Sequence, residues 1–401
     1  MSPYERGLAW NIKGYTLFRT LNKRAYLPLI AVYAVSVAGL DLGQFGLVAS
    51  LTALTSLVLE IPSGYLSDRI GHKKSLILGC FIMALSPLAY VIWPNFTGVL
   101  LGSAGYFGGY AFISGTLDAF LHESLLELDR EKEYGRVVGR AQAVSLLGNV
   151  VLVSLVPLLY PLDHRLPFLV GSLLMTASFC LSFFLTTPRR SKRAVAELES
   201  VSFMNLMRSL HVGRAHLLFL FLGVTGAASD KVPEFREIYL QVQGMPVIYF
   251  GFLLAISSLI AALASFNIHK LEFLSERAYY GLSAAVLVSL TILAGIGGLW
   301  LGAACMILLV VYNRNEITLT QSYLLRRCPT RELKATYLST LAFAKALNGL
   351  WIPLALGYLA SAYGIRAGYG YFGVILFVLT GIVLLGYSRQ KSMRKASLSF
   401  D

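Results

Sequence analysis

Gly64-Tyr65-Leu66-Ser67-Asp68-Arg69-Ile70-Gly71-His72-Lys73-Lys74 lies where one apolar run, about 44–66, gives way to another, about 74–93. Each run is close to the roughly 20 apolar residues that a helix needs to cross a bilayer, so the charged stretch reads as a tight turn between two membrane spans. Gly71 permits the turn. Gly64 is expected to let the preceding helix approach a neighbour closely. Asp68 sits where a span meets water, suited to the positive N-terminal end of another helix. Arg69, Lys73 and Lys74 stay at an anionic lipid surface.

The same pattern extends in both directions. The 401 residues are 56% hydrophobic and only 14% charged, against roughly 25% charged residues in soluble domains. That composition excludes a cytosolic enzyme, a disordered chain and a disulfide scaffold. Apolar runs place twelve spans at about 15–38, 44–66, 74–93, 97–122, 139–160, 166–187, 215–240, 247–268, 278–296, 299–323, 335–359 and 369–387. The N-terminus shows no cleavage site, so the first span is expected to remain in the protein. With that terminus inside, the inner loops and tail hold Arg69, Lys73, Lys74, Arg130, Lys132, Arg136, Arg189, Arg190, Arg326, Arg327, Arg389 and Lys391, whereas the outer loops hold Arg165 and Arg366. The net charge of +13 therefore reads as the bias that orients membrane proteins, with both termini cytoplasmic in a cell (inner or plasma) membrane, and not as a nucleic-acid surface. Cys80, Cys180, Cys305 and Cys328 have no metal-ligand spacing.

The longest loop, 188–214, separates two halves, 1–187 and 215–401, and its Phe203–Met207 segment could lie along the membrane surface. The halves echo each other. Asp118 and Ser124 match Glu316 and Ser322, while Arg140 and Ser145 match Lys334 and Ser339. Internal duplication of this kind is common in transporter folds.

The stretch 64–74 resembles the signature loop of the major facilitator superfamily, G-x-L-[AS]-D-R-x-G-[RK]-[RK], departing from it only at His72. Twelve spans and a 6+6 division extend the resemblance over the chain. It implies an all-α membrane protein with two pseudo-symmetric six-helix bundles. It also implies that Gly64, Asp68, Arg69, Gly71, Lys73 and Lys74 form a gating loop, with Asp68 facing the start of span 11. Glu60-Ile61-Pro62-Ser63-Gly64 resembles a variant of the drug-exporter-like branches. The Gly-Pro antiporter signature of span 5 and the arginine of span 4 are missing.

Ionisable side chains within spans cost roughly 2.5–3.5 kcal/mol each on insertion scales, so those present usually pair, face water or carry function. Glu60, Asp118, Asp230 and Glu234 are candidates for proton coupling. Asp118 could instead pair with Arg140. Asp230 and Glu234, four residues apart, would share one helix face, with Lys231 about 100° away. Lys23, Arg24, Tyr33, Tyr110, Asn313, Arg314, Glu316, Phe343 and Lys345 are candidates for a substrate cavity. Lys23 and Arg24 lie in the span only if it starts near Tyr15; otherwise they are interfacial. The resemblance places spans 1, 4, 7 and 10 around the cavity, where Asp230 or Glu234 could form a network with Arg314 and Lys345. That network is either a titrating coupler or a fixed bridge.

No G-x-x-x-x-G-K-[ST] loop, H-E-x-x-H or G-x-S-x-G motif occurs. The expectation is therefore a non-enzymatic secondary transporter without a cofactor, driven by a proton gradient. It would act as a monomer in the bilayer, exporting a small amphipathic compound. The alternatives are uptake of a small anionic solute, or a non-transporting sensor that keeps the fold.

Overall fold

The computed structural model describes residues 2–189, 216–327 and 334–397. Most of the loop 188–214, including Phe203–Met207, lies outside the described residues. The rest forms helices and short connections. α1 (Pro3–Leu21) is followed by a 3-10 turn (Leu27–Leu29) and α2 (Ile30–Ser36). Then come α3 (Leu42–Ile70), α4 (His72–Ile92), α5 (Phe96–Glu127), α6 (Tyr134–Leu155) and α7 (Leu166–Phe183). Beyond the loop, α8 (His216–Lys231), a 3-10 turn (Val232–Phe235) and α9 (Arg236–Val242) precede α10 (Phe250–Asn267). α11 (Glu276–Ile296), α12 (Leu299–Arg327), α13 (Lys334–Tyr363) and α14 (Ile365–Ser397) complete the chain.

The expected spans all coincide with helical segments, but not uniformly. Nine helices among the described residues are long and apolar enough to cross a membrane. The exceptions are the expected spans 1, 7 and 10. Span 10 is the single helix α12, lowered in hydropathy by Asn313, Arg314, Asn315 and Glu316. Spans 1 and 7 are interrupted at corresponding points. Each interruption leads into a 3-10 turn with a proline near its start, Pro28 or Pro233, followed by a seven-residue helix. Proline removes one backbone donor and disfavours helical geometry in the residue before it. Span 1 also starts earlier than its apolar run suggests. Ser2 and Glu5 form a reciprocal capping box, with Pro3 in the first turn. Asn11 then ties this polar extension to the chain after α7, donating to the Thr186 carbonyl (2.7 Å) and accepting from its N–H (3.0 Å).

The chain divides into two compact units. The first comprises Met1–Leu40, Leu51–Glu199 and Pro246–Ala255. The second comprises Asp41–Ser50, Ser200–Met245 and Ile256–Asp401. In the first unit, Gly79 and Gly109 let α4 and α5 touch backbone to backbone: a Cβ on either would lie 2.7 Å from the other's carbonyl oxygen. An aromatic core fills the space beside them. Tyr90 stacks on Phe168 at 4.7 Å, and Tyr33 meets Phe168 at 4.6 Å. In the second unit, Phe221, Leu222, Tyr279, Tyr280, Tyr323 and Leu324 form the corresponding core.

The units repeat one internal device. The Tyr33 hydroxyl on α2 donates to the Tyr90 carbonyl at the end of α4 (2.6 Å), and the Tyr239 hydroxyl on α9 donates to the Ala294 carbonyl at the end of α11 (2.7 Å). In both units a tyrosine four residues into the short helix thus anchors the broken span to the third span of its half.

Candidate functional site

In the second unit, the interruption of span 7 builds the charged site. Because the chain leaves α-helical geometry at Val232, Glu234 does not project from the face of α8 that carries Asp230. It folds back on Lys231 instead. The Lys231 ammonium donates to Glu234 Oε1 at 2.7 Å and lies 3.3 Å from Asp230 Oδ2. The expected i, i+4 carboxylate pair with Lys231 off to one side is therefore replaced by a lysine clamped between the two acids. Lys345 on α13 meets Glu316 on α12 instead, Nζ to Oε2 at 3.7 Å. Arg314 is exposed and joins neither group. The single expected network is thus two separate clusters. Asn313 donates to Ser229 Oγ (3.0 Å), fixing α12 against α8.

The packing of the two lysines is reciprocal. A Cβ on Gly226 of α8 would lie 2.4 Å from Lys345 Cε, so Lys345 runs across that glycine. A Cβ on Gly349 of α13 would lie 3.6 Å from Lys231 Cε. Each helix carries the lysine that crosses the other's glycine. The Glu316 side chain is only 1% exposed. Its Oε1 accepts from Thr320 Oγ1 at 2.7 Å, while Oε2 accepts no hydrogen bond from a described residue. Glu316 is therefore a buried carboxylate balanced by an ammonium too distant to hydrogen-bond to it. Removing or neutralising either partner leaves the other without compensation. Phe343, two residues before Lys345 on α13 and so on a different face of the helix, is half-buried. On α9, Arg236 pairs with Glu237, both buried.

In the first unit, Asp118 accepts from Tyr15 Oη at 2.6 Å and lies 3.6 Å from Arg19 Nη1, so its partner is Arg19 and not Arg140. The early start of α1 carries Tyr15 and Arg19 to that level. Lys23 and Arg24 occupy the break in span 1. The Arg24 guanidinium lies over Tyr106 (4.4 Å) and Phe107 (4.7 Å), and Tyr106 lies parallel to Tyr110 at 6.2 Å. Tyr110 is exposed. Tyr33, expected to line a cavity, is instead fully buried in the aromatic core, because the break in span 1 turns α2 toward α4 and α7. Glu60 is exposed on α3.

The stretch 64–74 joins α3 to α4. Gly71 adopts φ +91° and caps α4, its N–H bonded to the Ser67 carbonyl (2.9 Å). Gly64 has nothing within 4 Å of where a Cβ would sit, so the close helix contact expected there is absent among the described residues; the glycine faces away from its packed neighbours. The Arg69 guanidinium covers the Tyr65 ring at 4.6 Å, Lys73 donates to the Phe183 carbonyl (2.8 Å), and Lys74 is exposed. Asp68 lies in α3, with its side chain outside the description. His72, the departure from the motif, bonds through Nδ1 to Ser67 Oγ (3.0 Å) and lies 3.3 Å from Glu123 through Nε2. Sequence reading missed Lys231 as the centre of a cluster and Glu316 as a buried acid. Pro233 signalled the first, and the match between Asp118 and Glu316 pointed at the second.

The sequence model described as Major Facilitator Superfamily matches residues 15–351. An uncharacterized transporter of Buchnera aphidicola is 33% identical over 135 residues, 34% of each chain. The inner membrane transport protein YajR of Escherichia coli is 29% identical over 132 residues, which are 33% of this chain and 29% of YajR. The match thus spans about a third of the length of these two relatives. An uncharacterized MFS-type transporter of Bacillus subtilis, YxaM, is 20% identical over 380 residues, 92% of each chain. Among solved structures, the nucleoside transporter NupG superposes with a TM-score of 0.81 at 13% identity, covering 94% of this chain and 98% of that one.

Proposed function

The chain belongs to the Major Facilitator Superfamily, and from that premise we propose that it is a proton-coupled secondary transporter exporting a small amphipathic compound, with Glu316 as the coupling carboxylate. Membership makes it a multi-pass membrane transporter and not an enzyme. The coupling assignment rests on one observation: Glu316 is buried beside Lys345 without a hydrogen bond between them. A proton arriving at Glu316 neutralises the carboxylate and cancels its attraction for Lys345. The freed ammonium is held across Gly226 of α8, so the change in charge acts on two helices at once. Proton binding and helix rearrangement are thereby linked, which is what alternating access needs. Both termini are assigned to the cytoplasm from the basic loops, and export from the resemblance of Glu60-Ile61-Pro62 to exporter branches.

Uptake of a small anion is the second reading. Arg24 favours it, because its cation lies against aromatic faces and pairs with no carboxylate among the described residues.

The test is a proteoliposome assay with pyranine trapped inside and a panel of amphipathic dyes and aromatic acids outside, under an imposed pH gradient. Compound-dependent dissipation of the gradient is expected. Its direction separates export from uptake. Binding without any flux would overturn the transporter reading in favour of a sensor.

A further inference from the structure

We infer that Arg24 and Tyr110 form a recognition subsite for a small aromatic carboxylate. This deepens the transporter reading and rests on it.

α5 places the residues around Tyr110 between three packed neighbours. This helix turns Gly109 toward α4. It meets α3 where Thr116 donates to Ser67 Oγ (2.8 Å) and the Ala111 carbonyl accepts from Ser63 (3.1 Å). Tyr106 and Asp118 face α1, where Tyr106 donates to the Asn22 carbonyl (3.1 Å). Tyr110 and Ser114 remain exposed between these contacts. Positions 106, 110, 114 and 118 recur every four residues, so they form one continuous strip along the helix. The strip carries a guanidinium at one end (Arg24) and an Arg19–Asp118 pair at the other. Charges of this kind are too costly to face lipid and belong at a water-accessible surface.

Arg24 lies in the non-helical break of span 1, stacked over two aromatic rings. Those contacts orient the group, and no carboxylate pairs with it among the described residues, whereas Arg19, Lys231 and Lys345 each face one. A planar, charged fork facing no carboxylate among the described residues matches one on a ligand. Tyr110 supplies the apolar half of the subsite. It lies parallel to Tyr106 at 6.2 Å and is 43% exposed, a ready stacking surface for a flat ring. In this subsite the carboxylate of a flat aromatic acid pairs with Arg24 and its ring stacks on Tyr110.

The test is equilibrium binding of 1-naphthoate to the purified full-length protein, with cyclohexanecarboxylate and 1-naphthylmethylamine as comparison probes. Naphthoate is expected to bind in the low millimolar range or tighter, and the amine much more weakly. Arg24→Gln is expected to weaken naphthoate binding by about ten- to a hundredfold. Tyr110→Leu should weaken it by about two- to tenfold and leave cyclohexanecarboxylate unchanged. Tyr110 is exposed, so this variant reads the subsite even if Arg24→Gln fails to fold. Absence of naphthoate binding, tighter binding of the amine, or equal affinity in both variants would overturn the assignment. Binding is read apart from flux. Naphthoate that binds as described, with no compound of the transport panel dissipating a pH gradient, would refute transport and leave the subsite standing. Gradient-driven flux of other compounds with no naphthoate binding would do the reverse.

Discussion

Replacing Lys345 with methionine strands the most deeply buried acid among the described residues of the second unit. The Glu316 side chain is 1% exposed, and its nearest opposite charge is 3.7 Å away. At that distance and an effective dielectric of about 20, the lost attraction is roughly 4–5 kcal/mol. Lys345 is itself 22% exposed, so solvent screens part of that interaction. We expect Lys345→Met to destabilise the protein by about 3–5 kcal/mol, the range for breaking a buried pair from one side. Glu316→Gln should cost less, about 1–2 kcal/mol. The amide oxygen still accepts from Thr320, and the ammonium can move toward solvent. The double variant should be more stable than Lys345→Met alone, with a departure from additivity of at least about 2 kcal/mol. Unfolding of the four proteins in detergent, followed by circular dichroism against denaturant, completes the cycle. If Lys345→Met lies within about 0.5 kcal/mol of wild type and the double variant is additive, the two groups do not act as a pair, and the reasoning about Glu316 fails.

Gly71→Ala should cost about 1–2 kcal/mol in thermal or chemical unfolding, because φ is +91° there. Gly64→Ala, seven residues earlier and with open space around it, should fall within about 0.5 kcal/mol of wild type; comparable losses at both would contradict the geometry described. Gly302→Ala places a methyl 2.1 Å from the Tyr239 hydroxyl and displaces the bond to the Ala294 carbonyl. A loss of about 1–3 kcal/mol is expected, and an unchanged midpoint would argue against the anchoring role of Tyr239. In the connection between α5 and α6, two hydrogen bonds from Arg130 hold the Glu133 carboxyl below the usual carboxylate range. A lowered value stabilises above the ordinary carboxylate pKa, and the contribution is lost as pH falls through the lowered one. Arg130→Gln should therefore differ slightly from wild type in melting temperature near neutral pH and match it in strong acid.

The turn at Gly71 and most spans were legible because membrane crossing imposes a length and an apolar composition that sequence displays directly. The interruptions of spans 1 and 7 were harder to see. Pro28 and Pro233 were visible, but apolar residues continue through both breaks, and hydropathy does not register a change from α to 3-10 geometry. That change decides the site. It returns Glu234 to Lys231, separates Asp230 and Glu234 from Lys345, and buries Tyr33. Pairings were the least legible feature. Asp118 chose Arg19 over Arg140 because a capping box at Ser2 starts α1 well before its apolar run. The weak match between Asp118 and Glu316 marked two acids at matching positions in the sequence of the halves, one half-exposed and one buried. Their different burial depends on packing, which local sequence does not state.

The central claim is that proton movement passes through Glu316. It is tested most directly by comparing two rates in proteoliposomes that contain Glu316→Gln: exchange of a labelled compound at equal concentrations on both sides, and net movement driven by a pH gradient. The account predicts that exchange persists while gradient-driven movement is lost. Retention of both rates at wild-type levels would contradict it.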